Sequence, residues 1–255
     1  MDAKREEKVP FTSHLEELRK RLIYSLIAVV ICFLICYVFK ELLFKILTLP
    51  LVAVLPEKSS MIFTSLPEAF FTYLKVSFFG ALFISAPIVL YQIWKFISPG
   101  LFPTEKKYVF PFVFFSTIFF VGGSLFAYYA VFPIGFKFFI GFATESIRPM
   151  FTIREFLSFS CKLLLAFGVI FELPIFMFFL AKLGVVNSRM LTAKRKYAIL
   201  LIFVAAAVLT PPDIVTQILM AIPIMLLYEI SVLIVKLGEK KSIKNEGKEG
   251  NKDTA

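Results

Sequence analysis

Histidine is almost missing from this 255-residue chain, cysteine is scarce, and no phosphate-binding glycine loop is present. The single histidine, His14, lies in a polar N-terminal stretch, and no apolar run holds two aspartates. The sequence therefore lacks the groups of an intramembrane hydrolase, and without a glycine loop it has no site for ATP hydrolysis. Cys32, Cys36 and Cys161 lie in apolar runs, without the polar or basic neighbours that stabilise thiolates. They read as buried apolar side chains, not as metal ligands. A removable leader is not expected either. The first 21 residues are strongly polar, with no short apolar stretch ending in a small-residue cleavage site, so the N-terminus is expected to be retained. No enzymatic activity, cofactor or metal is expected.

What the chain does have is apolar length. It is 59% hydrophobic with a mean hydropathy of +0.84, too apolar for a soluble domain with one core and a polar surface. A spanning helix needs about 20 predominantly apolar residues, because the hydrocarbon layer is about 30 Å thick and a helix rises about 1.5 Å per residue. The pattern predicts an all-α membrane protein with six transmembrane helices at 22–39, 69–94, 108–132, 157–181, 197–209 and 214–235. A cytoplasmic amphipathic segment (1–21) precedes the six-span domain (22–235), and a tail rich in Lys, Glu, Gly and Asn (236–255) is expected to be disordered. The fifth span has 13 apolar residues, roughly 20 Å of helix, so the bilayer around it should thin or its ends should snorkel. No internal repeat marks an inverted-repeat transporter.

The net charge of +10 raises nucleic acid as a partner, but the basic residues fill the gaps between apolar runs and share no surface with groups that read phosphates and bases. They report orientation instead. The N-terminal tail carries six Lys and Arg, the loop after span two three, the loop after span four five and the C-terminal tail six, whereas the opposite side carries six in all. Both termini are expected in the cytoplasm, on the inner face of a bacterial-type membrane. Thr210-Pro211-Pro212-Asp213 joins spans five and six in a tight prolyl turn that forces an antiparallel hairpin.

Four segments carry chemistry. Ser13-His14-Leu15-Glu16-Glu17-Leu18-Arg19-Lys20-Arg21 has the spacing of a capping box, Ser13 with Glu16, and Leu15, Leu18 and Leu22 share one face of an interfacial helix. Glu16 with Lys20 and Glu17 with Arg21 are also ordinary i,i+4 pairs. Pro99-Gly100 is a turn signal, Thr104 a helix N-cap, and Glu105 a first-turn acid favoured by the helix dipole. Glu172, in Phe171-Glu172-Leu173-Pro174, lies well inside span four, where a charge costs about 2.5 to 3.5 kcal/mol and usually faces a bundle interior or a wet cavity. Pro174 removes a backbone hydrogen bond in the same turn and should kink the helix beside the acid. Thr210 and Gln217 place polar groups near the outer end of spans five and six, where they can bond another helix, while Glu229 can snorkel or pair with a base.

The set resembles the TatC family, the multispanning component of the twin-arginine translocase. The resemblance runs from about residue 11 to residue 236, with the motifs in family order. It implies a cupped-hand arrangement of six spans and no enzymatic centre. It also implies a receptor that binds twin-arginine signal peptides of folded cargo and, with TatA- and TatB-type single-span partners, moves that cargo using the proton-motive force. Self-association in the receptor complex is implied too. Glu17, Arg19 and Glu105 match the cytoplasmic recognition positions, Glu172 the acid of the concave face, and Thr210 and Gln217 the partner-helix contact. Lys106 and Lys107 stand where many members carry arginine, and Phe102 where many carry tyrosine. From a different class, a proton-coupled small-solute transporter would use Glu172 as a relay. It would need a second titratable group across the site, and Lys162 lies about 15 Å away along the same helix.

Overall fold

The computed structural model describes residues 11–55, 61–97, 109–142, 144, 150–210 and 213–249. Ten helices appear in this part of the chain: α1 (Phe11–Val38), α2 (Lys40–Val52), α3 (Glu68–Ile97), α4 (Val109–Phe126), α5 (Phe132–Ile140), α6 (Ile153–Ile170), α7 (Leu173–Lys182), α8 (Ser188–Ala193), α9 (Arg195–Leu209) and α10 (Ile214–Glu249). Two short strands, β1 (Met61–Ile62) and β2 (Phe151–Thr152), pair in parallel with Met61 opposite Phe151.

Five helical stretches are long and apolar enough to cross a membrane, at 27 to 31 residues each, and α9 adds a sixth, short helix of 15 residues. At about 1.5 Å per residue α9 reaches only about 22 Å, so the mismatch read from the sequence is present in the fold. The large apolar side chains along α1, among them Leu22, Leu26, Leu34 and Val38, lie on the outside of the protein, where lipid is the solvent that accepts them.

Close helix contacts come from small residues. A Cβ added to Gly123 of α4 would fall 2.5 Å from the Phe167 carbonyl of α6, and one added to Gly168 of α6 would fall 2.8 Å from Phe120 and Ser124 of α4. The two glycines let these backbones approach, and Ser124 Oγ donates across the seam to the Leu164 carbonyl at 3.1 Å. The main core gathers Phe132, Phe167, Leu163, Met220 and Leu51 from α2, α5, α6 and α10.

Several expectations are corrected. Span three does not end at residue 132. The helix runs through a π-helical segment (Ala127–Val131) into α5, because Pro133 falls in the first turn of α5, where a missing N–H is tolerated. The wide turn presents Tyr128, whose hydroxyl donates to the Ile46 carbonyl of α2 at 2.5 Å. Ser13 is no N-cap, since α1 already includes Phe11 and a residue inside a helix cannot take the extended backbone of a cap.

Of the tail at 236–255, residues 236–249 continue α10 as helix and residues 250–255 lie outside the described residues. α10 continues helically to Glu249, anchored where Glu239 accepts from Ser188 N at 2.8 Å and from Ser188 Oγ at 2.5 Å. Lys and Glu are good helix formers once such an anchor holds the first turns. The kink at Pro174 is present as a break between α6 and α7 at Phe171 and Glu172, with Pro174 in the first turn of α7. α7 ends on Gly184, whose φ of 72° suits a residue without Cβ.

Candidate functional site

The start of α1 lies along the last turns of α3. The His14 ring stacks on Phe96 with centroids 4.5 Å apart, and Arg21 donates to Gln92 Oε1 at 3.4 Å and pairs with Glu17 at 3.0 Å. The i,i+4 pair read from the sequence is therefore formed, and the partly exposed Glu17 carboxylate sits one helical turn from the point where α3 gives way to the following loop. Arg19 is exposed beside it. Arg21 Nε is buried without a partner, so this guanidinium keeps unused donor capacity. Glu105, with the Pro99-Gly100 turn, lies outside the described residues. An apolar cleft of about 450 Å³ opens between α1 and α3 from Gln92 and Tyr24 to Ile31 and Cys32.

Deeper in, Glu172 occupies the break between α6 and α7, ten residues or about 15 Å from Lys182. Its Oε1 is buried and has no hydrogen-bond partner. Ser116 of α4 is a polar side chain close to the carboxyl. Ser116 Oγ in turn accepts from the indole N–H of Trp94 at 2.9 Å. Trp94 is fixed by stacking on Phe112 at 4.9 Å and by an edge contact with Phe179 at 5.0 Å. Sequence reading missed Ser116 and Trp94. The available signal was the polar pair Ser116-Thr117 inside a strongly apolar helix, although Thr117 proves to bond its own helix, at Val113 O.

At the opposite end, Thr210 is buried at the C-cap of α9 and its hydroxyl donates to the Ala206 carbonyl at 2.9 Å. Gln217 of α10 donates through Nε2 to the Phe203 carbonyl of α9 at 3.1 Å, closing the hairpin between them. Asp213 caps α10 by accepting from Thr216 N at 2.7 Å and from the Thr216 hydroxyl. Thr210 and Gln217 thus lie in one hairpin. Glu229 pairs with Arg195 at 2.7 Å.

A second buried acid, Glu68, also went unread. It stands at the start of α3, where Oε2 accepts from Thr64 N (2.7 Å), Thr64 Oγ1 (3.1 Å) and Ser65 N (3.3 Å), while Oε1 accepts from Arg154 N at 2.9 Å. It clasps the first turn of α3 to the start of α6 beside the β1–β2 pair.

Comparison with known proteins agrees with this arrangement. The family model described as Sec-independent protein translocase protein (TatC) matches residues 13–223. The chain is 52% identical to the Sec-independent protein translocase protein TatC of Desulforapulum autotrophicum, over 98% of this chain and 93% of that one. It is 48% identical to the protein of that name from Magnetococcus marinus, over 96% of this chain and 90% of the relative. The crystal structure of the twin arginine translocase receptor TatC superposes with a TM-score of 0.80 at 41% identity, covering 88% of this chain and 98% of that one. These relatives are named as translocase components. Sequence motifs, a multi-spanning helical fold and these likenesses lead to one assignment: the chain belongs to the TatC family.

Proposed function

We propose that this chain is the receptor core of a twin-arginine translocase, binding the paired arginines of signal peptides on folded cargo and carrying that cargo across the membrane with TatA- and TatB-type partners, driven by the proton-motive force. The observation that carries the reading is the likeness to the solved receptor over almost its whole length. Glu17, Arg19 and Glu105 form the cytoplasmic recognition face. A guanidinium pair is held best by carboxylates in bidentate geometry at a partly desolvated surface, and Glu17 is a partly buried carboxylate whose present partner, Arg21, is itself a guanidinium. An incoming arginine competes for the same oxygens.

Glu172 is the intramembrane polar site, bonding a partner or signal helix during assembly, and Thr210 and Gln217 mark the contact for a partner helix. Both termini face the cytoplasm, following the Lys and Arg bias. Self-association in the receptor complex completes the assembly. The relay of a proton-coupled solute transporter is not favoured, because among the described residues the polar side chains at Glu172 are Ser116 and, behind it, Trp94.

The test is the affinity of the purified protein for a twin-arginine signal peptide against a twin-lysine control. Binding that falls at least ten-fold in Glu17→Ala and Glu105→Ala is expected; equal affinity for both peptides in the wild type would remove the proposal. A cysteine placed at 245 should label only from the cytoplasmic side, and labelling from outside intact cells would reverse the orientation.

A further inference from the structure

Arg21 is the last charged residue of α1, and the rest of that helix is an apolar run. It stands where a membrane helix meets the headgroup layer. A guanidinium carries five N–H donors, and among the described residues Arg21 uses two of them. Nη2 donates to Glu17 at 3.0 Å, and Nη1 donates to Gln92 at 3.4 Å, past the usual range of such a bond. Nε is buried without a partner. Below this polar mouth runs the cleft of about 450 Å³ between α1 and α3. Its α1 wall holds Tyr24, Ala28 and Ile31, which follow Arg21 at helical spacing, and its α3 wall holds Ile88, one turn beneath Gln92. Cys32 at its foot is 11 residues from Arg21, or about 16 Å of helix, and one leaflet of the hydrocarbon layer is about 15 Å thick.

We infer that this cleft holds one anionic phospholipid, its phosphate on the Nη edge of Arg21 and the amide of Gln92, and an acyl chain running over Ala28 toward Cys32. An arginine fork matches phosphate oxygens in bidentate geometry, and the Gln92 amide adds further donors. The charges on the two facing helix surfaces also match. Arg21 and Lys95, which lies one turn beyond Gln92 on the same face of α3, supply two positive charges, and Glu17 supplies one negative. The balance is one positive charge, which a phosphodiester neutralises. The inference goes beyond the receptor reading and does not rest on it.

Size decides between a lipid chain and a helix as the occupant. A helix is at least about 10 Å wide, so a 16 Å length of one fills roughly 1,200 Å³, well over twice the cleft. Membrane helices also pack closely on small residues, whereas this lining is branched and aromatic, with Ala28 as its small member. Ile27, Ile31 and Ile88 stand half-exposed around the groove, and a flexible acyl chain can follow their uneven surface where a second helix would be held off.

The test titrates the purified full-length protein in detergent with dioleoylphosphatidylglycerol, dioleoylglycerol or inorganic phosphate and reads bound species by native mass spectrometry. Phosphatidylglycerol should bind about ten-fold more tightly than either of the others. Equal binding of dioleoylglycerol would remove the phosphate contact, equal binding of inorganic phosphate would leave a free-anion site, and either result would overturn the inference. Arg21→Gln removes the charge and Ala28→Phe fills the groove, and each should weaken phosphatidylglycerol binding about ten-fold; unchanged affinity in either variant would overturn it. A readout on the wild type needs no variant: phosphatidylglycerol with a diazirine at the end of an acyl chain should label the segment of Ile31 and Cys32 in vesicles, and labelling confined to other segments would count against the site. A photoreactive group in place of Ile27, on the rim, should capture lipid in intact membranes. Capture of a protein there would give the cleft to a partner helix and overturn the lipid assignment.

Discussion

Two acids in this protein, Glu68 and Glu172, show how differently a carboxylate can be treated at the edge of the bilayer and within it. Glu68 accepts from four donors, three of them backbone or side-chain groups of the turn before α3 and one the backbone of Arg154. Glu172 has one polar neighbour, Ser116, and an oxygen with none. A fully satisfied carboxylate rigidifies the elements it joins, whereas one left short in a low-dielectric setting retains a strong appetite for a donor. Glu68 is bound into the scaffold, and Glu172 is the acid proposed to meet a partner or signal helix.

The sharpest way to break the comparison is to separate the helices that carry Glu172. Gly123→Val would drive a side chain into the Phe167 carbonyl, 2.5 Å from where its Cβ must stand, and backbone cannot yield as a side-chain tip can. A loss of about 3 kcal/mol in unfolding free energy is expected from such overpacking, together with loss of transport. Thermal unfolding in detergent measures it, and an unchanged midpoint would mean that the α4–α6 seam is looser than it looks.

Next in size is the clasp. Glu68→Leu should give a clear fall in thermal midpoint with the twin-arginine affinity intact, because it removes the acceptor of four bonds far from the recognition face. Glu68→Gln, which keeps one acceptor oxygen, should fall less. Equal midpoints for Leu and wild type would deny Glu68 a structural role.

Glu172 should behave in the opposite way. Glu172→Leu should change unfolding by less than about 1 kcal/mol, since it removes a group whose burial is itself costly, yet it should stop transport. Glu172→Gln distinguishes hydrogen bonding, in which an amide serves, from proton relay, in which it fails. Full transport by the Leu variant would place Glu172 among tolerated buried acids. The smallest effect belongs to the half-exposed Arg195–Glu229 pair: Arg195→Ala should cost under about 1 kcal/mol, and a larger loss would show a structural duty that its exposure conceals.

Much of the fold was legible because each spanning helix must be apolar along its whole length, and lipid allows no other pattern. The α9–α10 hairpin, the break at Pro174, the shortness of α9 and the three buried cysteines followed from local rules. α2, the two strands and α8 did not, since short elements at the interface carry no long apolar run to announce them. Among site residues, Glu17 and Glu172 stood out as acids in basic or apolar surroundings. Ser116 and Trp94 did not, because serine and tryptophan are unremarkable in an apolar helix until their partners are known.

The sequence alone determined that the chain lies in a membrane, how its Lys and Arg are distributed between the loops, and which family its motifs resemble. Those properties depend on composition and on order along the chain. Only the tertiary structure decided that Arg154 would complete the bonds of Glu68, that a Glu172 oxygen would be left open, and that Ser188 would meet Glu239 on α10. Each of those outcomes depends on whether groups remote in the chain come within about 3 Å, the range in which a hydrogen bond forms. Distance between residues remote in the chain is not written in their order.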